Sequence, residues 1–424
     1  MKSVICFFLA VAIIFVLYFA SVSNSDAEPA DQSESSQKNS DSPSYVPLNY
    51  EVPKAMWLSQ FDMCEIYTSG GVQRDVTEYT HLVRQVIENI SSIGINTVYV
   101  QLRPNGDSIY PSEIFPASKY AVGGYGLEHK YDPFEIFLEL SHKADISVHA
   151  WINPLRLMSA ESVKMISEKY TVKQWYLSGS YINEVDGYLY LDPAYKEARE
   201  LICSGVSEIT EKYNIDGVHI DDYFYPTTAE SFDEHSYASL NPQGLSLGDF
   251  RRQSTSLLVS SIHDTVKQKN TALLFGVSPS GNTERNYNEL FADVQSWCAS
   301  GYVDYLAPQI YFGFEHATRP FDKVYTEFLN MTRNTNVALV VGITLEKAAN
   351  GYSGLTDKWA GTGEREWIEQ KNIIKRSLLY VRELDDTSGI ALFSYRLLFD
   401  TLTGEQKAET REEYEGFLPV LLDM

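Results

Sequence analysis

From about residue 50 onward the chain is a regular succession of short apolar runs and amphipathic helical stretches, and this pattern restricts the fold more than any other feature. Eight runs have strand character, at residues 55–60, 97–102, 147–152, 217–220, 273–278, 305–310, 337–343 and 389–394. Between them apolar residues return at three- and four-residue spacing, as in 195–213, where Ala198, Ile202, Val206, Ile209 and Tyr213 form one face. Similar stripes hold Val86, Ile87 and Ile90 in 82–93, and Leu258, Ile262 and Val266 in 257–266. Strands separated by one crossover helix each must run parallel, and eight of them close into a barrel. The expected class is therefore α/β, a (β/α)8 TIM barrel forming a single catalytic domain over 50–424. No internal repeat at solenoid periods competes with this reading.

Upstream of the barrel pattern the composition changes twice. Lys2 precedes an apolar run over residues 4–22, broken only by Ser21, and Ser23, Asn24 and Ser25 follow it. Residues 1–25 are thus expected to be a signal peptide or an uncleaved membrane anchor, since the run approaches the ~20 residues that span a bilayer. Cys6 lies at the start of that run, which excludes a lipid-bearing cysteine after it. Residues 26–49 are rich in Ser, Asp, Gln and Pro and are expected to be a disordered spacer. The expected location is extracytoplasmic, secreted or held at the cell surface, with membrane contact only through the N-terminal segment.

Charge and cysteines narrow the function classes. A formal net charge of −23, with no Lys/Arg stripe, repels a phosphate backbone and argues against nucleic acid as a partner. Cys64, Cys203 and Cys298 are an odd number without paired spacing, so they make neither a disulfide framework nor a metal-cysteine motif. No HxH or HExxH spacing, no glycine-rich phosphate loop and no GxSxG elbow is present, so neither a metal nor a cofactor is expected. A monomer is expected.

In such a barrel the chemistry gathers where strands end and their following loops begin. The second strand ends in QLRPNGD, offering Gln101, Arg103, Asn105 and Asp107. The third runs HAWINPLR, offering Trp151, Asn153 and Arg156, with His149 more consistent with a satisfied core imidazole. The fourth runs DGVHIDDYFYP, placing Asp221, Asp222 and Tyr223 at its end, and the sixth ends in APQIYF with Gln309 and Tyr311. Two adjacent carboxylates raise one pKa by mutual repulsion, leaving one group to donate a proton and the other to stabilise positive charge. Cleavage of a glycosidic bond uses that division of labour. Strand alternation separates Asp221 from Asp222, and which of them points inward stays open at this level. Asp216, before a glycine, is expected to be turn chemistry.

Several long stretches, in order, resemble the glycosyl hydrolase-like 10 family of bacterial exported proteins. They are GINTVYVQLRPNGDSIYPSEIFP, YDPFEIFLELSHKADISVHAWINPLR, YLDPAYKEARELI, DGVHIDDYFYP, FGVSPSG and VDYLAPQIYF. The resemblance implies a (β/α)8 barrel acting on glycan strands, with relatives that cut peptidoglycan as hydrolases or lytic transglycosylases. It carries the acidic motif onto Asp221 and Asp222, the RPNGD motif onto Arg103, Asn105 and Asp107, and the strand-six motif onto Gln309 and Tyr311. The distantly similar strand-four motif of family 18 glycosidases ends in a glutamate that has no counterpart here. The expected catalytic set is Asp222 as acid, Asp221 tuning it, and Asp107 as a possible second carboxylate. Gln101, Arg103, Asn105, Trp151, Asn153, Arg156, Tyr223, Gln309 and Tyr311 are expected to bind substrate. A non-catalytic carbohydrate-binding barrel and a polysaccharide deacetylase are the competing classes. Binding alone does not call for adjacent carboxylates, and deacetylation calls for a metal ligand set.

Overall fold

The computed structural model describes residues 45–384 and 389–424. Eight parallel strands close into a barrel: β1 (Lys54–Leu58), β2 (Thr97–Arg103), β3 (Ser147–Ile152), β4 (Gly217–Ile220), β5 (Leu274–Val277), β6 (Tyr305–Leu306), β7 (Ala338–Thr344) and β8 (Gly389–Phe393). Each strand pairs with its neighbours in sequence, and β1 closes the ring by pairing with both β2 and β8. The expected (β/α)8 class is what the chain adopts. Strand β6 is shorter than its apolar run because Pro308 has no amide hydrogen for a ladder. Pairing resumes beyond it as isolated bridges from Gln309 to Ser280 and Gly342.

The helices form because their caps and stripes agree. Asp75 accepts from the Thr77 amide to start α1 (Val76–Ser92), and Asp132 with Pro133 starts α2 (Pro133–Lys143). In α3 (Lys196–Lys212) the expected stripe Ala198, Ile202, Val206 and Ile209 is buried, and in α4 (Leu247–Lys269) so are Leu258, Ile262 and Val266. These faces pack on the outward residues of the strands, such as Val218 and Ile220 of β4. Between β3 and α3 the chain makes an excursion, an antiparallel sheet of Arg156–Ser159, Ile182–Val185 and Tyr188–Leu191 beside the barrel mouth.

The barrel interior is filled by rings. Trp57, Tyr99, Trp151 and Tyr305 share it with small Ala55, Ala307 and Ala391. His219 stacks on Tyr99 at 4.2 Å between ring centres. The Trp57 indole N–H donates to His219 Nε2 at 3.1 Å, so that nitrogen must be the unprotonated one. His219 Nδ1–H then faces the Tyr305 hydroxyl at 3.0 Å, and that hydroxyl donates onward to His149 Nδ1 at 2.8 Å. Burial holds both imidazoles well below their usual pKa, with His149 at about 4. They are satisfied core groups. Gly276 makes this filling possible, since a Cβ there would lie 2.0 Å from the Tyr305 ring.

At the amino end of the barrel, residues 45–49, placed in the spacer by composition, lie against the strands. The Tyr45 hydroxyl and the Leu48 amide each donate to Asp216 Oδ1 at 2.6 Å, and the Val148 amide donates to its Oδ2 at 2.7 Å. Asp216 is thus structural. Residues 1–44, with the expected targeting segment and most of the spacer, fall outside the described residues. Among the described residues no helix is long and apolar enough to cross a membrane.

Candidate active site

The carboxyl ends of the strands surround a cleft that Asp221 and Asp222 both line. Inward alternation along β4 carries His219 into the barrel, and Asp221 continues on that side. The strand ends at Ile220, so the chain is free to bend and bring Asp222 to the same cleft. Asp221 is buried and doubly held: the Trp151 indole N–H donates to Oδ2 at 3.1 Å and the Tyr223 amide donates to Oδ1 at 3.2 Å. Burial, then the negative charge of Asp222, push the Asp221 carboxyl up to about 8. Burial also raises Asp222, but Gln309 Nε2 donates to its Oδ1 at 3.1 Å and restrains the shift. At neutral pH the proton of the pair therefore rests on Asp221, whereas the motif alone pointed to Asp222 as the acid.

The other walls come from separate strand ends. From β2, Gln101 accepts the Gln60 amide at 2.8 Å and donates to Asn153 Oδ1 at 2.8 Å, tying the ends of β1, β2 and β3 together. Arg156 lies over the Tyr223 ring at 5.1 Å and the Tyr188 ring at 5.6 Å. Its Nε has no hydrogen-bond partner, and neither does Gln60 Oε1. Tyr311 stacks on Phe393 at 5.8 Å on the far side. The cleft thus combines a protonated acid, an acceptor carboxylate, aromatic faces and unpaired polar atoms. Such an arrangement can hold a ring bearing hydroxyl groups and protonate a leaving oxygen.

The structure brings Gln101, Trp151, Asn153, Arg156, Asp221, Asp222, Tyr223, Gln309 and Tyr311 together. It does not bring Arg103, Asn105 or Asp107 to the cleft. A bulge between Gln101 and Arg103 reverses the alternation of β2, so Arg103 turns outward under α3. Its guanidinium lies 4.5 Å over the Phe115 ring, with Nη1 at 3.5 Å from the Ile202 carbonyl. Asp107 is fully buried, accepting the Asn105 amide at 2.8 Å and the Tyr125 hydroxyl at 3.0 Å. It shapes its own loop, and Asn105 is buried in the same turn. Conversely, Trp57, Ser59, Gln60, Phe61, Ser278 and Phe393 line the cleft without having been singled out. Their positions at the ends of β1, β5 and β8 were the available signal.

A larger cavity, about 360 Å³ against about 170 Å³ for the cleft, sits at the opposite end of the barrel beneath residues 48–51. It is lined by Tyr99, His149 and Tyr305 with Glu51 and Asp304, the latter neutralised by Lys267 at 2.7 Å, and it lies at the amino ends of the strands, so size does not locate the chemistry. Among the described residues no group of three His, Cys, Asp or Glu side chains is placed to hold a metal ion.

A family model described as Glycosyl hydrolase-like 10 matches residues 53–360. The chain belongs to the glycosyl hydrolase-like 10 family. Within it, the chain is 30% identical to "Glycosyl hydrolase YngK" of Bacillus subtilis over 81% of this chain and 68% of that protein. It is 31% identical to "Glycosyl hydrolase DigH" of Escherichia coli O6:H1 over 72% of this chain and 73% of that protein. Among solved structures, the PgaB (BpsB) glycoside hydrolase domain from Bordetella bronchiseptica superposes with a TM-score of 0.56. That match covers 86% of this chain and 99% of that domain at 11% identity, a likeness of fold. Every cleft-lining residue from Trp57 to Tyr311 lies inside the matched region of the family, and Phe393 lies beyond it.

Proposed function

We propose that this protein cleaves the glycan backbone of bacterial peptidoglycan, with Asp221 as the proton donor and Asp222 as the carboxylate facing the reacting carbon. The observation that carries the reading is the unequal carboxylate pair in an aromatic cleft. Asp221 gives its proton to the glycosidic oxygen as the bond to the anomeric carbon breaks, so the leaving sugar departs as a neutral alcohol. The positive charge that grows on the ring is stabilised by Asp222, held in place by Gln309. Water then adds to the anomeric carbon to give a reducing sugar, or the ring's own 6-hydroxyl adds to give a 1,6-anhydro product. In either case the nucleophile's proton returns to a carboxylate of the pair.

Arg156 supports an acidic or carbonyl-bearing glycan over a neutral one. Its guanidinium sits at the rim of a strongly acidic protein, stacked on Tyr223, with a donor left unpaired. Every second sugar of peptidoglycan carries a lactyl ether whose carbonyl or carboxyl oxygens suit such a donor. Action outside the cytoplasmic membrane belongs to the same proposal, with the apolar run at residues 4–22 directing export.

The test is incubation of the purified protein with isolated glycan strands, with products weighed by mass spectrometry. Cleaved saccharides from the wild type and none from Asp221→Asn support the reading. Intact strands, or loss of acetyl groups without chain cleavage, overturn it.

A further inference from the structure

Beyond the cleft, the loop after β7 builds a second hollow on the same face of the barrel. The short helix Glu346–Tyr352 leaves the end of β7, and the segment after it supplies Trp359, which lines one hollow together with Trp367. The hollow measures about 400 Å³ and is lined by Glu346, Lys347, Asn350, Leu355, Trp359 and Trp367 among others. An ion pair between Lys347 and Asp357 fastens the loop to the helix. Gly351 lets the helix lie directly on Trp367, since a Cβ there would come within 2.1 Å of the Trp367 carbonyl oxygen.

Two features of this hollow are unexplained by folding. Trp359 is 88% exposed, so its ring contributes almost nothing to the core. Trp367 is 4% exposed, yet its indole N–H has no hydrogen-bond partner. A buried donor without an acceptor is unfavourable, and a free indole face invites a stacked partner. The hollow neighbours the cleft. Lys347 lies 5.5 Å over the Phe312 ring, and the adjoining Tyr311 lines the cleft.

We propose that this hollow is a second sugar-binding subsite, where Trp359 stacks on a pyranose of the strand held in the cleft and the Trp367 N–H takes one of its oxygens. A protein partner fits less well, because interface centres are depleted in charge and this lining holds Glu346, Lys347, Asp357 and Lys358. A pyranose presents an apolar C–H face and a polar edge, which matches an exposed ring and a buried donor lining one hollow.

The inference rests on the glycan-cleaving reading, and the experiment separates the two. The full chain is assayed on purified peptidoglycan glycan strands sorted into short and long fractions. Trp359→Ala should raise KM for long strands about tenfold while leaving kcat and the short-strand KM within about twofold, and Trp359→Phe should restore most of the loss. Trp367→Phe, which keeps the ring and removes the donor, should raise only the long-strand KM. If the wild type cleaves both fractions and Trp359→Ala handles long strands like the wild type, the subsite alone is overturned. If the wild type cleaves neither fraction, the glycosidase reading falls and the subsite falls with it.

Discussion

Trp151 donates its indole N–H to Asp221 Oδ2 across 3.1 Å, so the carboxyl that burial protonates is positioned by a ring of the neighbouring strand. The bond favours the ionised form and opposes the burial that favours the neutral one. The Asp221 pKa is the balance of these effects and of the charge on Asp222, and each can be altered separately.

Replacing Asp221 by Asn keeps its size and removes the transferable proton. Turnover of glycan strands should fall by about 10² to 10⁴-fold with the fold intact. Asp222→Asn should also lower kcat, and by removing a neighbouring negative charge should lower the Asp221 pKa. Initial rates against pH on both variants check this, and near-normal rates in both would remove the carboxylate pair from the mechanism.

A proton donor works while it holds its proton. Activity should therefore persist at neutral pH and decline as pH rises through about 8, the position of Asp221. Trp151→Phe deletes a bond to the ionised form and should move that alkaline limb upward by about one pH unit. A limb that stays fixed in Trp151→Phe would assign it to another group.

The same shift has a consequence for stability. Asp221 is raised in the folded protein above its unfolded value, so folding takes up a proton between about pH 4 and about pH 8. Its contribution is fully present below that window and is lost as pH rises through it. Asp221→Asn should consequently melt higher than the wild type at pH 9, by about 2 °C or more, with the gain shrinking toward pH 5. Paired thermal melts at the two pH values decide it.

Asp107 offers the opposite pattern. Its oxygens receive the Asn105 amide and the Tyr125 hydroxyl away from the cleft. Asp107→Asn should cost about 1–3 kcal/mol of stability while lowering kcat/KM far less than Asp221→Asn does. Denaturant titration beside strand cleavage separates the two effects. An equal loss of kcat in both variants would return Asp107 to the catalytic set.

Gly276 tests the packing of the barrel interior. Gly276→Ala places a methyl group against the Tyr305 ring and should destabilise by about 1–3 kcal/mol, read as a lower urea midpoint at unchanged slope.

The barrel was legible because each strand is buried on both faces and each helix shows a stripe, so both periods appear directly in the residues. The cleft contributions of β3, β4 and β6 were legible because Trp151, Asn153, Asp221, Asp222 and Gln309 are polar or amphipathic residues at the ends of apolar runs. Arg103 was misplaced because a single bulge after Gln101 turns it outward, and no residue type marks that bulge. Trp57, Phe61 and Phe393 resemble core residues in sequence, and only their height in the barrel puts them at the mouth. The location of the proton was illegible for another reason: it depends on how deeply each oxygen is buried and which N–H reaches it.

Tyr45 and Leu48 are pinned to Asp216 at the floor of the barrel, the end away from the carboxylate pair. The first described residues are therefore fixed to the end of the barrel opposite the cleft. Floor and mouth are thus held by different contacts, so loosening Tyr45 from Asp216 would weaken the base of the barrel and leave the geometry around Asp221 and Asp222 in place.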